Sequence, residues 1–239
     1  MQAVVLAGGL ATRMRPRTTT VPKSMLEVAG RPFVDWQLER LAACGVRDVV
    51  MCVAYLAEQI EAHVGDGAHL GVHVRWAHEG GKLLGTAGAI RAAMGRVPLD
   101  EAFLVTYGDS YLPFDYAEPL RILQAHAGDC DAVMSAYRNE GKWDSSNVVV
   151  SADGQWIERY EKGAGDPAFD HIDYGATAVR RAVLEALPAD TVVGFDAVQH
   201  GLSERKRLRA CIARDRFFEI GSPEGLAELD RHLRTRVLP

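Results

Sequence analysis

Met1–Met25 read MQAVVLAGGLATRMRPRTTTVPKSM, and this opening stretch decides both the fold and the type of site. A short apolar strand, Ala3–Leu6, runs into the pair Gly8-Gly9. A glycine turn that leaves a buried strand brings backbone N–H groups close to phosphate oxygens. Arginines and a lysine follow and supply the positive charge that a triphosphate requires. The stretch therefore predicts a strand–turn unit that holds the phosphates of a nucleotide.

Two common phosphate-binding motifs do not explain this turn. The chain contains neither the GxxxxGK[ST] pattern of a Walker A loop nor the GxGxxG pattern of a dinucleotide-binding fold. The remaining structural alternative is a plain strand–helix turn with surface arginines.

Length and composition fit a soluble globular protein. The chain has 239 residues, 48% of them apolar and 25% charged, which is enough for one large α/β domain. We expect a single domain over 1–239, with a nucleotide-binding half at about 1–130 and a second substrate half at about 131–239. The net charge of −5 argues against a general nucleic-acid partner.

The cysteine pattern and the apolar runs bear on the compartment. Cys44, Cys52, Cys130 and Cys211 form no CxxC pair and no zinc spacing, so we expect reduced, mostly buried thiols. The apolar run at the N-terminus is too short for a signal peptide, and no run reaches the length of a membrane span. These features predict a cytoplasmic protein with no membrane partner.

Strand and helix signals alternate through the first half and change character in the second. The predicted elements of the first half are strands at Ala3–Leu6, Asp48–Val53, Val72–Trp76 and Ala102–Tyr107 and helices at Phe33–Cys44, Leu56–Val64, Thr86–Met94 and Tyr116–Ala127. Those of the second half are antiparallel strands at Ala132–Arg138, Asn147–Val150, Trp156–Tyr160 and Tyr174–Val179, helices near Ala182–Leu187 and Phe195–Ser203, a strand at Leu208–Ile212, and a last helix from Ser222 to about Leu233. The alternation predicts an α/β protein, with a Rossmann-like, mixed, mostly parallel sheet and helices on both faces.

The glycine turn and its flanks resemble the signature of the sugar-1-phosphate nucleotidyltransferases. That signature reads roughly GG-x-G-T-R-x-x-P-x-T, then P-K after a gap, and here it stands as GGLATRMRPRT at 8–18 with Pro22-Lys23. Ala11 replaces the usual third glycine. The resemblance runs from Met1 to about Leu229 and implies the GT-A-like nucleotidyltransferase fold, in a length that suits the family's short members.

The resemblance also implies a nucleotide site. Leu84–Gly88, LGTAG, matches the segment in which the family reads the nucleobase with backbone groups and a helix start. This form of the segment is most similar to guanylyltransferases for mannose- or heptose-1-phosphate and to the uridylyltransferase for N-acetylmuramate-1-phosphate. The implied catalytic residues are Arg13 and Lys23, and the implied nucleotide-binding residues are Leu6, Ala7, Gly8, Gly9, Thr12, Arg13, Glu79, Gly85, Thr86, Ala87 and Asp109.

A divalent cation, Mg²⁺, is the implied cofactor. Asp109 follows the predicted strand Ala102–Tyr107, and an aspartate on such a turn is a natural Mg²⁺ ligand, although it can also cap the turn. The family holds its metal with the aspartate of a G-D pair at this point and with a second aspartate in a late D-(V/I)-G-T-P-E segment. Glu219 stands at the second position, one methylene longer, with a solvated strand-end glutamate as the alternative.

The sugar phosphate is expected to bind through residues of the second half. Glu161-Lys162 resembles the family's E-K-P motif, in which the lysine binds the phosphate and the glutamate a sugar hydroxyl; Gly163 replaces the proline. Tyr174-Gly175 matches the place where the backbone approaches the sugar. Asn147 either bonds sugar hydroxyls or caps a turn.

These implications predict the transfer of a nucleotidyl group from an NTP, with GTP favoured, to a sugar-1-phosphate. The expected partners are those two substrates, and the expected state is a monomer or a small homo-oligomer. Two alternatives remain at this point: a nucleotidyltransferase for a non-sugar phosphate such as phosphocholine, and an inactive paralogue that senses nucleotide sugars. A glycosyltransferase of similar sheet is disfavoured because Asp109 is a single acid rather than part of an Asp-x-Asp motif.

Overall fold

A computed structural model of the chain describes residues 1–9, 12–80, 83–163 and 166–237. The strands are β1 (Gln2–Leu6), β2 (Glu27–Val28), β3 (Arg31–Pro32), β4 (Asp48–Val53), β5 (His73–His78), β6 (Ala102–Tyr107), β7 (Ser110–Tyr111), β8 (Ala132–Arg138), β9 (Val148–Val150), β10 (Ile157–Tyr160), β11 (His171–Arg180), β12 (Leu208–Ala213) and β13 (Phe218–Glu219). The helices are α1 (Phe33–Ala43), α2 (Ala57–Val64), α3 (Gly85–Ala93), α4 (Glu118–Ala125), α5 (Arg181–Glu185), α6 (Phe195–Glu204) and α7 (Pro223–Val237).

The central sheet is mixed and mostly parallel, as the alternation of signals predicted. Its main path runs β10-β9-β11-β6-β1-β4-β5, while β8 pairs with β11 and β12 pairs with β8. The four strands β5, β4, β1 and β6 are parallel to one another. β11 then runs antiparallel to β6, and β8 and β9 run antiparallel to β11, so the second half extends the sheet with strands of both directions.

Strands at the centre of the sheet are apolar on both faces because helices cover both. In β1, Ala3 and Val5 enter one core with Leu38 of α1, while Val4 between them enters a second core with Ile90 of α3. All five side chains are fully buried. A parallel sheet covered in this way is expected to show apolar runs rather than alternation, which is the pattern of β1 and β4.

A third apolar cluster lies beside the end of β1 and anchors the C-terminal helix. Met14, Phe33, Tyr111, Phe218 and Leu229 belong to it and are all buried. The cluster packs α7 and β13 against the turns that follow β1, so distant parts of the sequence meet at one edge of the sheet.

Several boundaries differ from the sequence-based expectation by a few residues. One such difference is β11, which begins at His171 rather than Tyr174 and therefore includes Asp173. All four cysteines are free, three of them buried and Cys44 half-buried, as predicted. Within the described part of the chain, no helix has both the length and the apolar character that a membrane span requires.

Candidate active site

A cavity of about 310 Å³ opens at the carboxyl ends of the parallel strands. This edge is where ligands bind in open α/β sheets. The cavity is lined by Leu6, Ala7, Gly8, Gly9, Pro22, Lys23, Ser24, Glu79, Leu83, Gly85, Thr86, Tyr107, Gly108 and Asp109. The structure therefore brings together most of the predicted nucleotide-binding residues, from four separate stretches of sequence.

The glycine turn packs tightly against its neighbours. A Cβ atom on Gly8 would overlap Oε1 of Glu79, and one on Gly108 would lie 2.8 Å from Cβ of Ala7. The N–H of Gly108 donates to the carbonyl of Leu6 over 2.9 Å. The turn after β1 and the turn after β6 are thus in backbone contact. Glycine is required at Gly108, where the backbone of Leu6 and Ala7 leaves no room for a side chain, whereas a side chain at Gly8 would only displace the flexible end of Glu79.

Thr12 and Arg13 lie at the rim of this site rather than in the cavity. Both are exposed and belong to a 3₁₀ turn, Thr12–Met14, that is anchored by the buried side chain of Met14. The guanidinium Nη2 of Arg13 comes within 3.7 Å of where a Cβ on Gly221 would lie. Arg13 therefore faces the segment that carries Glu219. The predicted departure at Ala11 lies outside the described residues.

Lys23 and Asp109 form an ion pair on the wall of the cavity. Nζ of Lys23 lies 2.8 Å from Oδ2 of Asp109, and the two side chains are 17% and 30% exposed. Lys23 begins a 3₁₀ turn, Lys23–Met25, whose Ser24 is buried and lines the same cavity. A lysine and a carboxylate that are 86 positions apart in the sequence thus meet at the end of β6.

Glu219 reaches the same place through a two-stranded ribbon. β13 pairs with β7, so that Glu219 lies opposite Ser110, the residue after Asp109. Burial raises the pKa of the Glu219 carboxyl, and the nearby charge of Asp109 raises it further, while Arg13 and Lys23 oppose the shift. The carboxylates of Asp109 and Glu219 are therefore close enough to influence each other.

The fit of this pair to a divalent cation can be judged from the donors themselves. No group of three or more His, Cys, Asp and Glu side chains suited to a metal occurs among the described residues. Mg²⁺, however, is commonly held by one or two carboxylates together with substrate phosphates and water. Asp109 and Glu219 fit that requirement, and do not fit a metal site made wholly of protein ligands.

Glu79 and the start of α3 form another part of the cavity wall. Burial raises the pKa of the Glu79 carboxyl. Gly85 has φ +72°, and a Cβ there would lie 2.6 Å from the carbonyl oxygen of Val193. Thr86 Oγ1 accepts a hydrogen bond of 2.6 Å from the N–H of Phe195. The loop before α6 therefore closes over the first turn of α3.

The side chain of Ala87 is fully buried in the core, and its N–H donates to the carbonyl of Val193 over 3.1 Å. The N–H of Gly88 donates to the same carbonyl. The protein itself therefore satisfies these amides at the start of α3, and the assignment of Ala87 to the nucleotide stays a prediction.

Residues predicted for the sugar phosphate lie along the edges of β10, β9 and β11. Glu161 and Lys162 are exposed directly after β10. Asn147 accepts a hydrogen bond of 2.9 Å at Oδ1 from the N–H of Asp173, so it joins two strands. Gly175 has φ +97°, and a Cβ atom there would lie 3.7 Å from side-chain atoms of Ser110 and Tyr107, so this backbone approaches the turn that carries Asp109.

The prediction at Tyr174-Gly175 concerned the backbone, and the side chain of Tyr174 lies on the other face of β11. Its ring is 2% exposed and packs against Phe114, Tyr137 and Phe217. Alternation along β11 places Tyr174 on the face opposite to Asp173 and Gly175. The tyrosine side chain therefore belongs to the core, and only the neighbouring backbone faces the site.

Asp173 is a residue of this site that the motif comparison missed. One oxygen accepts a hydrogen bond from the N–H of Gly175 and the other from Nε2 of Gln199, at 3.0 and 3.1 Å. Burial raises the pKa of its carboxyl, whereas the charge of Lys162 lowers it. Its position two residues before Gly175, a spacing that puts both on the same face of a strand, was the signal that could have placed it on the site face.

Comparison with known proteins identifies the family. The profile of the family described as Nucleotidyl transferase matches residues 2–236. The chain belongs to this family.

Relatives in the family differ in substrate. A mannose-1-phosphate guanylyltransferase of Mycobacterium tuberculosis is 32% identical over 196 residues, which are 82% of this chain and 53% of that protein. An N-acetylmuramate alpha-1-phosphate uridylyltransferase of Neisseria meningitidis is 42% identical over 118 residues, which are 48% of this chain and 50% of that protein. The chain thus spans about half the length of these curated relatives.

A solved structure agrees in fold. The crystal structure of HddC from Yersinia pseudotuberculosis, complexed with GMP-PN, has a TM-score of 0.76 and covers 97% of this chain and 99% of its own. At 24% sequence identity this likeness establishes the fold of the family and nothing further.

Proposed function

We propose that this chain transfers a nucleotidyl group from a nucleoside triphosphate, GTP in preference to others, to a sugar-1-phosphate. The observation that supports it most is the cavity in which Lys23 and Asp109 meet beside the turn at Gly8. An oxygen of the sugar phosphate attacks the α-phosphorus of GTP. The bond from that phosphorus to the bridging α–β oxygen breaks, and pyrophosphate leaves with the electron pair.

The reaction requires charge neutralisation rather than a general base, because the attacking phosphate is already ionised. Lys23 stabilises the negative charge that develops around the α-phosphate, and Arg13 at the rim neutralises the departing pyrophosphate. Lys162 holds the incoming sugar phosphate. Asp109 and Glu219 hold Mg²⁺, which supplies further charge neutralisation at the phosphates.

The preference for GTP rests on Glu79. Its half-buried carboxylate lines the cavity and forms no ion pair with any residue in the described part of the chain. A carboxylate offers two acceptors, and guanine presents two adjacent donors, N1–H and the 2-amino group. Uracil and thymine present one donor between two carbonyl acceptors, so a carboxylate would repel part of their edge.

The sugar phosphate is assigned to the second half of the chain. The backbone around Gly175 approaches the turn at Asp109, which also lines the cavity, and the charge of Lys162 acts on Asp173 beside it. This supports a single nucleotidyltransferase domain over 1–239 with a nucleotide half and a sugar-phosphate half. A mannose- or heptose-type sugar is proposed by analogy with the guanylyltransferase relative.

The test is a matrix of the common nucleoside triphosphates against several sugar-1-phosphates and phosphocholine, with Mg²⁺ and with pyrophosphate release as the readout. Release with GTP and a hexose- or heptose-1-phosphate supports the proposal. Release only with phosphocholine would establish the non-sugar acceptor. Nucleotide binding with no pyrophosphate release from any substrate pair would instead indicate a sensor. The glutamate at position 219, where the family has aspartate, would then help to explain the missing activity.

A further inference from the structure

Gln37 is a fully buried polar side chain on α1, a helix whose other buried residues are apolar apart from Asp35. The apolar residues Val34, Leu38 and Leu41 of the same helix are also fully buried. Burying an amide is unfavourable unless its hydrogen bonds are replaced. The partners of Gln37 therefore indicate what its presence achieves.

Both partners of its amide nitrogen lie at the end of β6. Nε2 of Gln37 donates to the carbonyl of Tyr107 over 2.7 Å and to the carbonyl of Ser110 over 2.9 Å. These two carbonyls stand on either side of Gly108 and Asp109. A single amide thus holds both ends of the turn that presents the Asp109 carboxylate.

The same contact also holds the backbone of Glu219. Ser110 is the residue of β7 that pairs with Glu219 of β13. The carbonyl of Asp109 in turn accepts a hydrogen bond of 2.9 Å from the N–H of Ile220. The turn and the ribbon are therefore one hydrogen-bonded unit, and Gln37 ties that unit to α1.

The other end of the Gln37 amide argues against a mere packing role. Oε1 is buried and has no hydrogen-bond partner among the described residues. A buried unsatisfied acceptor costs stability, and a leucine or methionine of similar size would avoid that cost. The side chain is best explained by the need for its two donated hydrogen bonds.

We propose that Gln37 is a positioning residue that fixes the separation of Asp109 and Glu219 and so sets the affinity of the site for a metal–triphosphate complex. The inference rests on the proposed function, because it takes the two carboxylates to be the metal-binding pair. Gln37 touches neither substrate nor metal and acts only through the backbone of residues 107–110.

Arg40 provides a matched control on the same helix. Its Nη2 donates to the carbonyl of Phe114 over 2.8 Å, one turn of helix beyond Gln37 and on the same polypeptide segment. Phe114 lies beyond β7, so this bond does not bracket the carboxylate pair. Arg40→Met therefore removes a comparable tie to α1 without releasing the turn at Asp109.

The experiment measures binding of α,β-methylene-GTP by calorimetry in wild type, Gln37→Met and Arg40→Met, with Mn²⁺ and with EDTA. This analogue is chosen because its α–β bond cannot break. In Mn²⁺ we expect Gln37→Met to bind about tenfold more weakly than wild type, the effect of two lost hydrogen bonds. In EDTA it should bind as wild type does, and Arg40→Met should match wild type within about twofold in both conditions.

Each other outcome is decisive. The inference would be overturned if Mn²⁺ raised the affinity for the analogue equally in wild type and Gln37→Met. It would also be overturned if Arg40→Met lost as much affinity as Gln37→Met, or if Gln37→Met lost the same affinity in EDTA as in Mn²⁺. If Gln37→Met does not fold, Gln37→Asn carries the test: its shorter amide reaches at most one carbonyl, and an unaltered Mn²⁺ gain would again overturn the inference. A wild type that gains nothing from Mn²⁺ would count against the proposed function itself.

Discussion

Nζ of Lys23 lies 2.8 Å from Oδ2 of Asp109, so the ammonium group occupies the carboxylate that we assign to the metal. The two cations cannot share that oxygen at close range without repulsion. We therefore propose that substrate binding draws Lys23 away from Asp109 and towards the phosphates. In the free protein, Lys23 neutralises a partly buried carboxylate; on this proposal it is available to the α-phosphate in the reactive complex.

This relationship predicts opposite effects of Lys23→Met on turnover and on metal binding. Turnover should fall by roughly a hundredfold or more, because one preorganised charge at the reacting phosphate is lost. Affinity for Mn²⁺ alone should stay the same or rise, because Asp109 no longer has a competing cation. Steady-state pyrophosphate release and Mn²⁺ titration by electron paramagnetic resonance measure the two effects.

Lys142→Met is the matched control for that prediction. Lys142 is an exposed lysine that pairs with Glu140 on a surface loop, so its removal should leave both readouts within about twofold. Near-wild-type turnover in Lys23→Met would remove Lys23 from the mechanism.

A second prediction concerns the base. Glu79→Gln should lower the ratio of kcat/KM for GTP to that for UTP by about tenfold or more, because the amide replaces one acceptor with a donor. The new donor can meet a carbonyl of uracil, which the carboxylate repels. Parallel measurements with the two nucleotides and one sugar-1-phosphate test this, and an unchanged ratio would show that Glu79 does not read the base.

A third prediction follows from the raised pKa of Glu79, which burial causes. A carboxyl whose pKa is raised in the folded state stabilises the fold when protonated, below its ordinary value near 4.5, and that stability is lost as the pH rises through the folded-state pKa. Glu79→Gln should therefore raise Tm at pH 7, and the gain should disappear on acidification below pH 4.5.

The control for this measurement is an exposed glutamate. Glu101 has a side chain that is 93% exposed, so Glu101→Gln should leave Tm nearly unchanged at either pH. A lower Tm for Glu79→Gln at pH 7 would contradict the claim that this carboxylate is held for function at a cost in stability.

A fourth prediction separates two glycines. Gly85→Ala should destabilise the protein by about 2 kcal/mol or more, because the residue has φ +72° and the new methyl group would meet the carbonyl of Val193. Gly201→Ala, in α6 with open space around it, should stabilise the protein by up to about 1 kcal/mol. Urea unfolding of the two variants measures both effects, and equal effects would show that the contact at Val193 is not formed.

Much of the fold could be predicted from the sequence because its signals are local. β4, β6 and β8 are apolar runs bounded by polar or glycine residues, and each was predicted at its observed limits. The residues that line the cavity were equally accessible, since Gly8, Lys23 and Asp109 belong to short motifs.

What the sequence did not reveal depends on contacts between distant elements. Gln37 looks like any polar residue of an amphipathic helix, and only the fold shows that its amide meets Tyr107 and Ser110. The motif at Tyr174-Gly175 concerned the backbone, and only the fold shows that the side chain of Tyr174 lies in the core. Only the fold shows likewise that a carbonyl more than a hundred residues later, at Val193, satisfies the amide of Ala87.

The most direct test of the whole account is a crystal structure of the protein with Mn²⁺ and α,β-methylene-GTP, with anomalous diffraction used to locate the metal. We predict one Mn²⁺ peak between the carboxylates of Asp109 and Glu219, the guanine edge against Glu79, and Nζ of Lys23 moved from Asp109 to the α-phosphate. A nucleotide bound elsewhere, or a Lys23–Asp109 ion pair that persists beside the bound triphosphate, would contradict the account.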